Sequence, residues 1–87
     1  MAHVWVPSLL RDLSGGRATV DAPGRTVGEV IDALDASCPG IKSRLFDGGE
    51  LSPALQVLVD GRVALLGLRQ PVGENSEVHL VPVMAGG

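Results

Sequence analysis

The sequence predicts an α+β domain, a mixed sheet of about four to five strands with one main helix packed on one face. Three observations carry that expectation. One stretch, Val27 to Cys38, repeats apolar residues at steps of three and four, several other stretches are short apolar or alternating runs, and Gly, Pro, Asn and Asp clusters punctuate the boundaries between them. A single helix buries its stripe only by lying against the sheet, which leaves the opposite sheet face open. At 87 residues and 45% hydrophobic content, the chain suffices for one core and one domain spanning 1–87.

His3 to Val6 reads as the first strand, with Val4 and Val6 on one face and His3 and Trp5 on the other. After Pro7, the segment Ser8 to Leu13 runs into a turn at Ser14-Gly15-Gly16, and Arg17 to Ala22 returns as a second strand in a loose hairpin. Pro23-Gly24 breaks the chain. Thr26-Val27-Gly28-Glu29 has capping-box spacing, so a helix starts here and presents Val27, Val30, Ile31, Leu34 and Cys38 to the core until Pro39-Gly40 stops it. Ile41 to Phe46 adds a helical turn, and Asp47-Gly48-Gly49-Glu50 opens a mobile loop. A third strand, Ala54 to Val59, turns through Asp60-Gly61 into a fourth, Arg62 to Leu66. Glu74-Asn75-Ser76 is a turn in which Asn75 accepts a left-handed conformation, and Glu77 to Val83 is the last strand, with Pro82 the place where it stops pairing and leaves the sheet.

Composition excludes several classes of function. The net charge is -3 and the seven basic residues are scattered, while Trp5 and Phe46 do not make a base-stacking platform, so no nucleic-acid partner is expected. One cysteine, Cys38, forms no internal disulfide and no thiolate cluster, which fits a cytoplasmic setting. No signal-peptide pattern opens the chain, and no apolar run approaches the roughly 18 residues of a membrane span. Cys38 reads as a small core residue. His3 and His79, candidates for adjacent strands, are two ligands without thiolate or carboxylate support, too few for a metal site, and no metal is expected. Asp32 and Asp35 read as a solvated helix face, and Arg11, Arg62 and Arg69 as surface residues.

The end of the chain is the part that points to chemistry. Val78, Leu80, Val81 and Val83 run apolar almost to Met84-Ala85-Gly86-Gly87, whereas a frayed end is normally polar. Glycine carries no side chain and tolerates most backbone angles, so a Gly-Gly tip threads a narrow channel and offers an unhindered carboxylate. Residues Val83, Met84, Ala85, Gly86 and Gly87 are therefore expected to form a flexible, protruding tail. With Val4/Val6, Leu55/Val57/Val59 and Val78/Leu80 facing the helix, the open sheet face carries Trp5, Leu58, His79 and Val81, a patch suited to a docking partner.

Strand order, one capped helix and the Gly-Gly end together resemble the β-grasp, ubiquitin-like sulfur carrier proteins. The resemblance runs along essentially the whole chain, through Val6-Pro7-Ser8-Leu9-Leu10-Arg11, Pro39-Gly40-Ile41-Lys42-Ser43-Arg44-Leu45, Val59-Asp60-Gly61, Gly67-Leu68 with Pro71-Val72, and Val81-Pro82-Val83-Met84-Ala85-Gly86-Gly87. The chain is most similar to the carrier that serves cysteine synthesis, then to the small subunit of molybdopterin synthase. That resemblance implies a protein with no catalytic residue and no bound cofactor, monomeric when free. An E1-like activating enzyme adenylates Gly87 with ATP, sulfur displaces AMP to leave a thiocarboxylate, and a biosynthetic acceptor enzyme takes the tail into its active site. The acceptor stays open between cysteine synthesis, molybdopterin and a specialised thiolated metabolite. Two other readings remain: a ubiquitin-like modifier conjugated through Gly87, and a non-covalent binding module.

Overall fold

The structure, a computed structural model, describes residues 1–83. Its strands form where side chains alternate or β-branched residues cluster: β1 (Ala2–Trp5), β2 (Thr19–Ala22), β5 (Leu55–Val59), β6 (Arg62–Val63) and β7 (Glu77–Pro82) make one sheet in the order β2-β1-β7-β5-β6. Helices α1 (Val27–Ser37) and α2 (Ile41–Leu45) lie between β2 and the short pair β3 (Phe46–Asp47) and β4 (Glu50–Leu51). β1 runs parallel to β7, and the other neighbours are antiparallel. This five-stranded mixed sheet holding one main helix is the β-grasp fold, as expected from the sequence.

The helix starts where its chemistry puts it. Thr26 Oγ1 accepts from the Glu29 amide at 3.2 Å, and the Glu29 carboxylate reaches back to the Arg25 amide at 3.0 Å, one residue beyond the cap itself. All five residues of the apolar stripe, Val27, Val30, Ile31, Leu34 and Cys38, are buried. They meet the inward set of the sheet, where Val4 lies opposite Val78 and Val57 opposite Leu80. Gly24 sits where the chain enters α1 with φ +151°, and a Cβ there would lie 2.7 Å from the Val30 nitrogen. Only glycine fits so close to the helix backbone.

Several expectations are corrected. Asp47-Gly48-Gly49-Glu50 is the tip of a small hairpin and not an open loop: Gly48 and Gly49 both take positive φ, the geometry of a two-residue turn that lets β3 pair with β4. The fourth strand ends at Val63 instead of Leu66. Ala64 still donates to the Val57 carbonyl, but from there the chain coils into a 3₁₀ turn at Gly67–Arg69 to return to the start of α1, where Val27 donates to Gln70 and Val72 donates to Arg25. Asn75 does not take a left-handed conformation. Among the described residues the one non-glycine at positive φ is Asp60, at 52°, beside Gly61 in the hairpin turn. The turn before β7 is held instead by Ser76, whose hydroxyl accepts from the Gly73 amide and donates to the Asp60 carboxylate, both at 2.8 Å.

Asp32 and Asp35 are more than a solvated face. Asp35 accepts from the amides of Gly40 and Lys42, and Asp32 pairs with the Lys42 ammonium, so the two carboxylates pin α2 against the end of α1. The sequence reading missed this because α2 begins after Pro39-Gly40 and folds back, which places residues five to ten apart side by side.

Candidate functional site

Sheet register brings the predicted open-face residues together. Trp5 pairs with Thr19 on one side and His79 on the other, His79 pairs with Leu58, and Leu58 pairs with Val63, so one row crosses all five strands. At its centre the Trp5 and His79 rings stack with centroids 5.2 Å apart and planes within 5°. Val81 lies two residues further along β7, opposite Gln56. Trp5 is 39% exposed, and Leu58, His79 and Val81 are half-buried. Val63, 45% exposed, extends the apolar row and was not singled out by sequence. The signal was present: a two-residue Asp60-Gly61 turn requires Val59 to face Arg62 and Leu58 to face Val63.

Polar groups border this row. Trp5 Nε1 donates to Glu77 Oε1 at 3.4 Å, His3 pairs with Asp21, and His3 lies beside Glu77 across the β1–β7 pair. His3 and His79 are therefore not cross-strand neighbours; His79 faces Trp5. No group of three or more His, Cys, Asp or Glu side chains suited to a metal occurs among the described residues. Cys38 is fully buried, with Arg17 Nη2 at 4.0 Å from its sulfur. Arg11 Nε donates to the Val6 carbonyl at 3.2 Å and so fastens the segment after β1, while Arg62 and Arg69 are exposed.

The root of the tail is defined on both sides. Leu55 pairs with Pro82, and the Val83 amide donates to the Ala54 carbonyl at 2.7 Å, so pairing with β5 continues one residue past the proline. Strand amides point alternately to the two neighbours, which turns the Pro82 nitrogen toward β1. On that side pairing with β7 ends at Trp5 and His79. Pro82 thus costs no ladder bond, and the expectation that it ends pairing holds for the β1 side alone. Val83, counted with the tail by sequence, is tied to the sheet. Met84, Ala85, Gly86 and Gly87 lie outside the described residues.

The arrangement is a five-stranded sheet whose central strand, β7, is the last described element before residues 84–87 of the sequence, with an apolar row on the open face of the same strand and its neighbours. No helix among the described residues is long and apolar enough to cross a membrane.

Comparison with known proteins gives a consistent set of matches. The model of the ThiS family matches residues 4–87. Sulfur carrier protein CysO of Mycobacterium tuberculosis is 34% identical over an 89-residue alignment that covers 97% of this chain and 96% of that protein. Small archaeal modifier protein 1 of Haloferax volcanii is 40% identical over 81 residues, covering 90% of this chain and 91% of its own. Among solved structures, the Amycolatopsis orientalis BexX/CysO complex contains a chain that superposes with a TM-score of 0.92 at 32% identity over the whole of both chains.

Proposed function

This chain belongs to the ThiS family, and from that membership we propose that it is a sulfur carrier protein, a co-substrate on which partner enzymes act. The observation that carries the reading is that the family match runs through Gly86-Gly87, the residues whose chemistry the function needs.

With Gly87 as the terminal residue of the acting form, its carboxylate is a poor electrophile because the negative charge is shared by two oxygens. An activating enzyme with ATP makes it reactive. One carboxylate oxygen attacks the α-phosphorus, pyrophosphate leaves, and the acyl adenylate that results is open to attack at its carbonyl carbon. Sulfide, or a persulfide whose mixed disulfide a thiol then reduces, takes the place of AMP, which departs with the oxygen. One oxygen of Gly87 is exchanged for sulfur. The thiocarboxylate is a soft nucleophile, and an acceptor enzyme draws it in along with Met84, Ala85 and Gly86, while Val83 stays bonded to Ala54 as the anchor of the tail.

In this scheme the chain contributes shape. Gly86 and Gly87 let the tip pass a channel too narrow for a Cβ. Trp5, Leu58, His79 and Val81 give partners an apolar face to grip while the tail is inserted, with the Trp5–His79 stack as a rigid anchor. That a CysO from Amycolatopsis orientalis has been solved in complex with BexX supports engagement of a partner protein by chains of this shape. Cysteine synthesis is the favoured destination of the sulfur, because the local resemblance and the CysO relatives agree; molybdopterin or a specialised thiolated metabolite comes next. Relatives named small archaeal modifier proteins favour a second reading, in which the same adenylate passes Gly87 to a lysine.

The test is the intact mass of the full chain after incubation with an activating enzyme, ATP and a sulfide source, with fragmentation to place the change. Exchange of one oxygen for sulfur at Gly87 is the expected result. An unchanged mass with an enzyme that thiolates another carrier would overturn the carrier reading, and stable conjugates of higher mass would favour the modifier. Gly86→Val is expected to block transfer at least tenfold while leaving the fold intact, read as the rate of sulfur delivery to the acceptor.

A further inference from the structure

The open sheet face has a charge pattern that its apolar row does not account for. A second row runs two residues along the strands from the first, about 7 Å away. In it Asp21 of β2 pairs with His3 of β1, and His3 pairs with Glu77 of β7. No lysine or arginine joins these two carboxylates. Six of the seven basic residues lie outside the five strands, and the seventh, Arg62, stands opposite the buried Val59 and so faces the helix side. Arg17, just before β2, turns the same way, with Nη2 at 4.0 Å from the buried Cys38 sulfur. A partner complementary to this face therefore brings the cation itself.

We propose that Trp5, Asp21 and Glu77 together receive an arginine side chain of the protein that docks on this sheet. Three observations carry the proposal. The first is the placing of the indole. Trp5 stands between His79 on β7 and Thr19 on β2, and its ring lies parallel to that of His79, so its other face is turned to Thr19, an exposed residue too short to cover it. The second is unused acceptor capacity. Asp21 is exposed and meets His3 through Oδ1, while Glu77 meets Trp5 through Oε1 and its Oε2 has no hydrogen-bond partner among the described residues. A carboxylate oxygen removed from water without a donor is unfavourable, and rotation about the terminal carboxylate bond offers it to an arriving one. The third is the match of shape. A guanidinium is flat and carries five N–H donors at its edge, so it lies on an indole by its face while its edge donates to carboxylates; a compact ammonium does only one of these well.

The two rows then divide the work of docking. The apolar row supplies contact area that is tolerant of sliding, and the arginine contact fixes the partner's register on the sheet and rejects surfaces that present a carboxylate there. That the arginine belongs to an enzyme acting on a sulfur carrier rests on the carrier reading; recognition of a guanidinium by this face does not.

The experiment uses the full chain labelled with ¹⁵N, whose single tryptophan gives one indole N–H signal. The probe is N-acetyl-arginine amide, set against its lysine and citrulline analogues, citrulline having the shape of arginine without the charge. The expected result is a saturable displacement of the Trp5 indole signal by the arginine probe, about threefold weaker with lysine and absent with citrulline. Asp21→Asn and Glu77→Gln, both outward and nearly isosteric, should each weaken the arginine response about threefold while the Leu34 amide in the core stays in place. No saturable response, equal responses to arginine and citrulline, or a response indifferent to both substitutions would overturn the proposal. A second arm measures the affinity of an enzyme that thiolates this chain: Asp21→Asn should lower it about tenfold and flatten its dependence on salt, and an unchanged affinity would overturn the assignment to the docking protein. A dimer of the free chain that Asp21→Asn dissolves in sedimentation would place the arginine on a second copy and overturn it likewise. The probe titration needs no activating enzyme, so a failed arginine site and a failed thiocarboxylate assay are separate outcomes.

Discussion

Trp5 is the residue at which packing meets the proposed docking face. Its ring lies on His79, its indole nitrogen reaches Glu77, and more than a third of its surface stays in water. A large aromatic held rigidly at a surface loses little entropy on being covered, which is why such residues dominate interfaces. Under the proposed function, Trp5→Ala is expected to weaken binding to an activating enzyme about tenfold, measured by titration calorimetry, with the thermal midpoint of the free protein nearly unchanged because the core side of β1 is untouched. Asp60 is the contrasting case, a residue whose role is local. Its carboxylate accepts from the Glu77 amide at 2.9 Å and from the Ser76 hydroxyl at 2.8 Å, and these bonds hold its pKa below the usual aspartate value. A carboxyl whose folded pKa is depressed stabilises the fold above its unfolded pKa, roughly 3.9, and that contribution is lost as pH falls through the folded value. Asp60→Asn keeps a residue that tolerates positive φ but removes the charge. Urea midpoints recorded between about pH 5 and pH 2 should therefore fall less steeply in Asp60→Asn than in the unaltered chain; parallel slopes would show that other carboxylates set the acid response.

At the scale of elements, the approach of the chain into α1 is the tightest constraint. A side chain at Gly24 meets the Val30 backbone nitrogen and methyl at under 3 Å, at a φ that L residues rarely adopt, and neither neighbour is the flexible end of a long side chain. Gly24→Ala is expected to destabilise the domain by about 2 kcal/mol in equilibrium urea unfolding, through a displaced N-terminus of α1. A change below ~0.5 kcal/mol would mean that the Pro23-Gly24 link yields without moving the helix. The elements also show what was legible in the sequence. The α1 stripe was readable because its five apolar residues follow helical spacing and face one uniform partner, and β5 because it is a run with a clear turn after it. The strand proposed for 62–66 was misread because Val63, Ala64, Leu65 and Leu66 carry no alternation, so nothing in their order marks where pairing ends. In the structure Leu65 is 87% exposed, a residue that a strand reading places beside the sheet. The contacts of Asp32 and Asp35 with α2 were likewise invisible, since they depend on how the chain folds back at Pro39-Gly40 and not on any spacing within α1.

For the whole molecule, the legible part of the site was the part governed by strand parity. Placing Val4 and Val6 inward fixes Trp5 outward, and the same rule assigns Leu58, His79 and Val81 once their strands are known. Neighbours across strands were not legible: the stack of Trp5 on His79 and the absence of a His3–His79 pair follow from the parallel register of β1 with β7, which joins residues over 70 positions apart. A groove beside Pro82, lined among others by Pro7, Leu10, Leu45 and Leu55, escaped for the same reason, being assembled from four separate segments. The position of β7 has a mechanical consequence. The tail continues a strand flanked on one side by a parallel neighbour and on the other by an antiparallel one, so a pull on Gly87 along the strand is resisted by both ladders loaded together in shear. Bonds loaded in shear share the force and break as a group, whereas bonds at a peeled edge break one at a time. Under the proposed function, a partner drawing on the end of this chain pulls as on a rope spliced into the middle of a cable, with the load entering the sheet at Val83 and passing inward along both ladders.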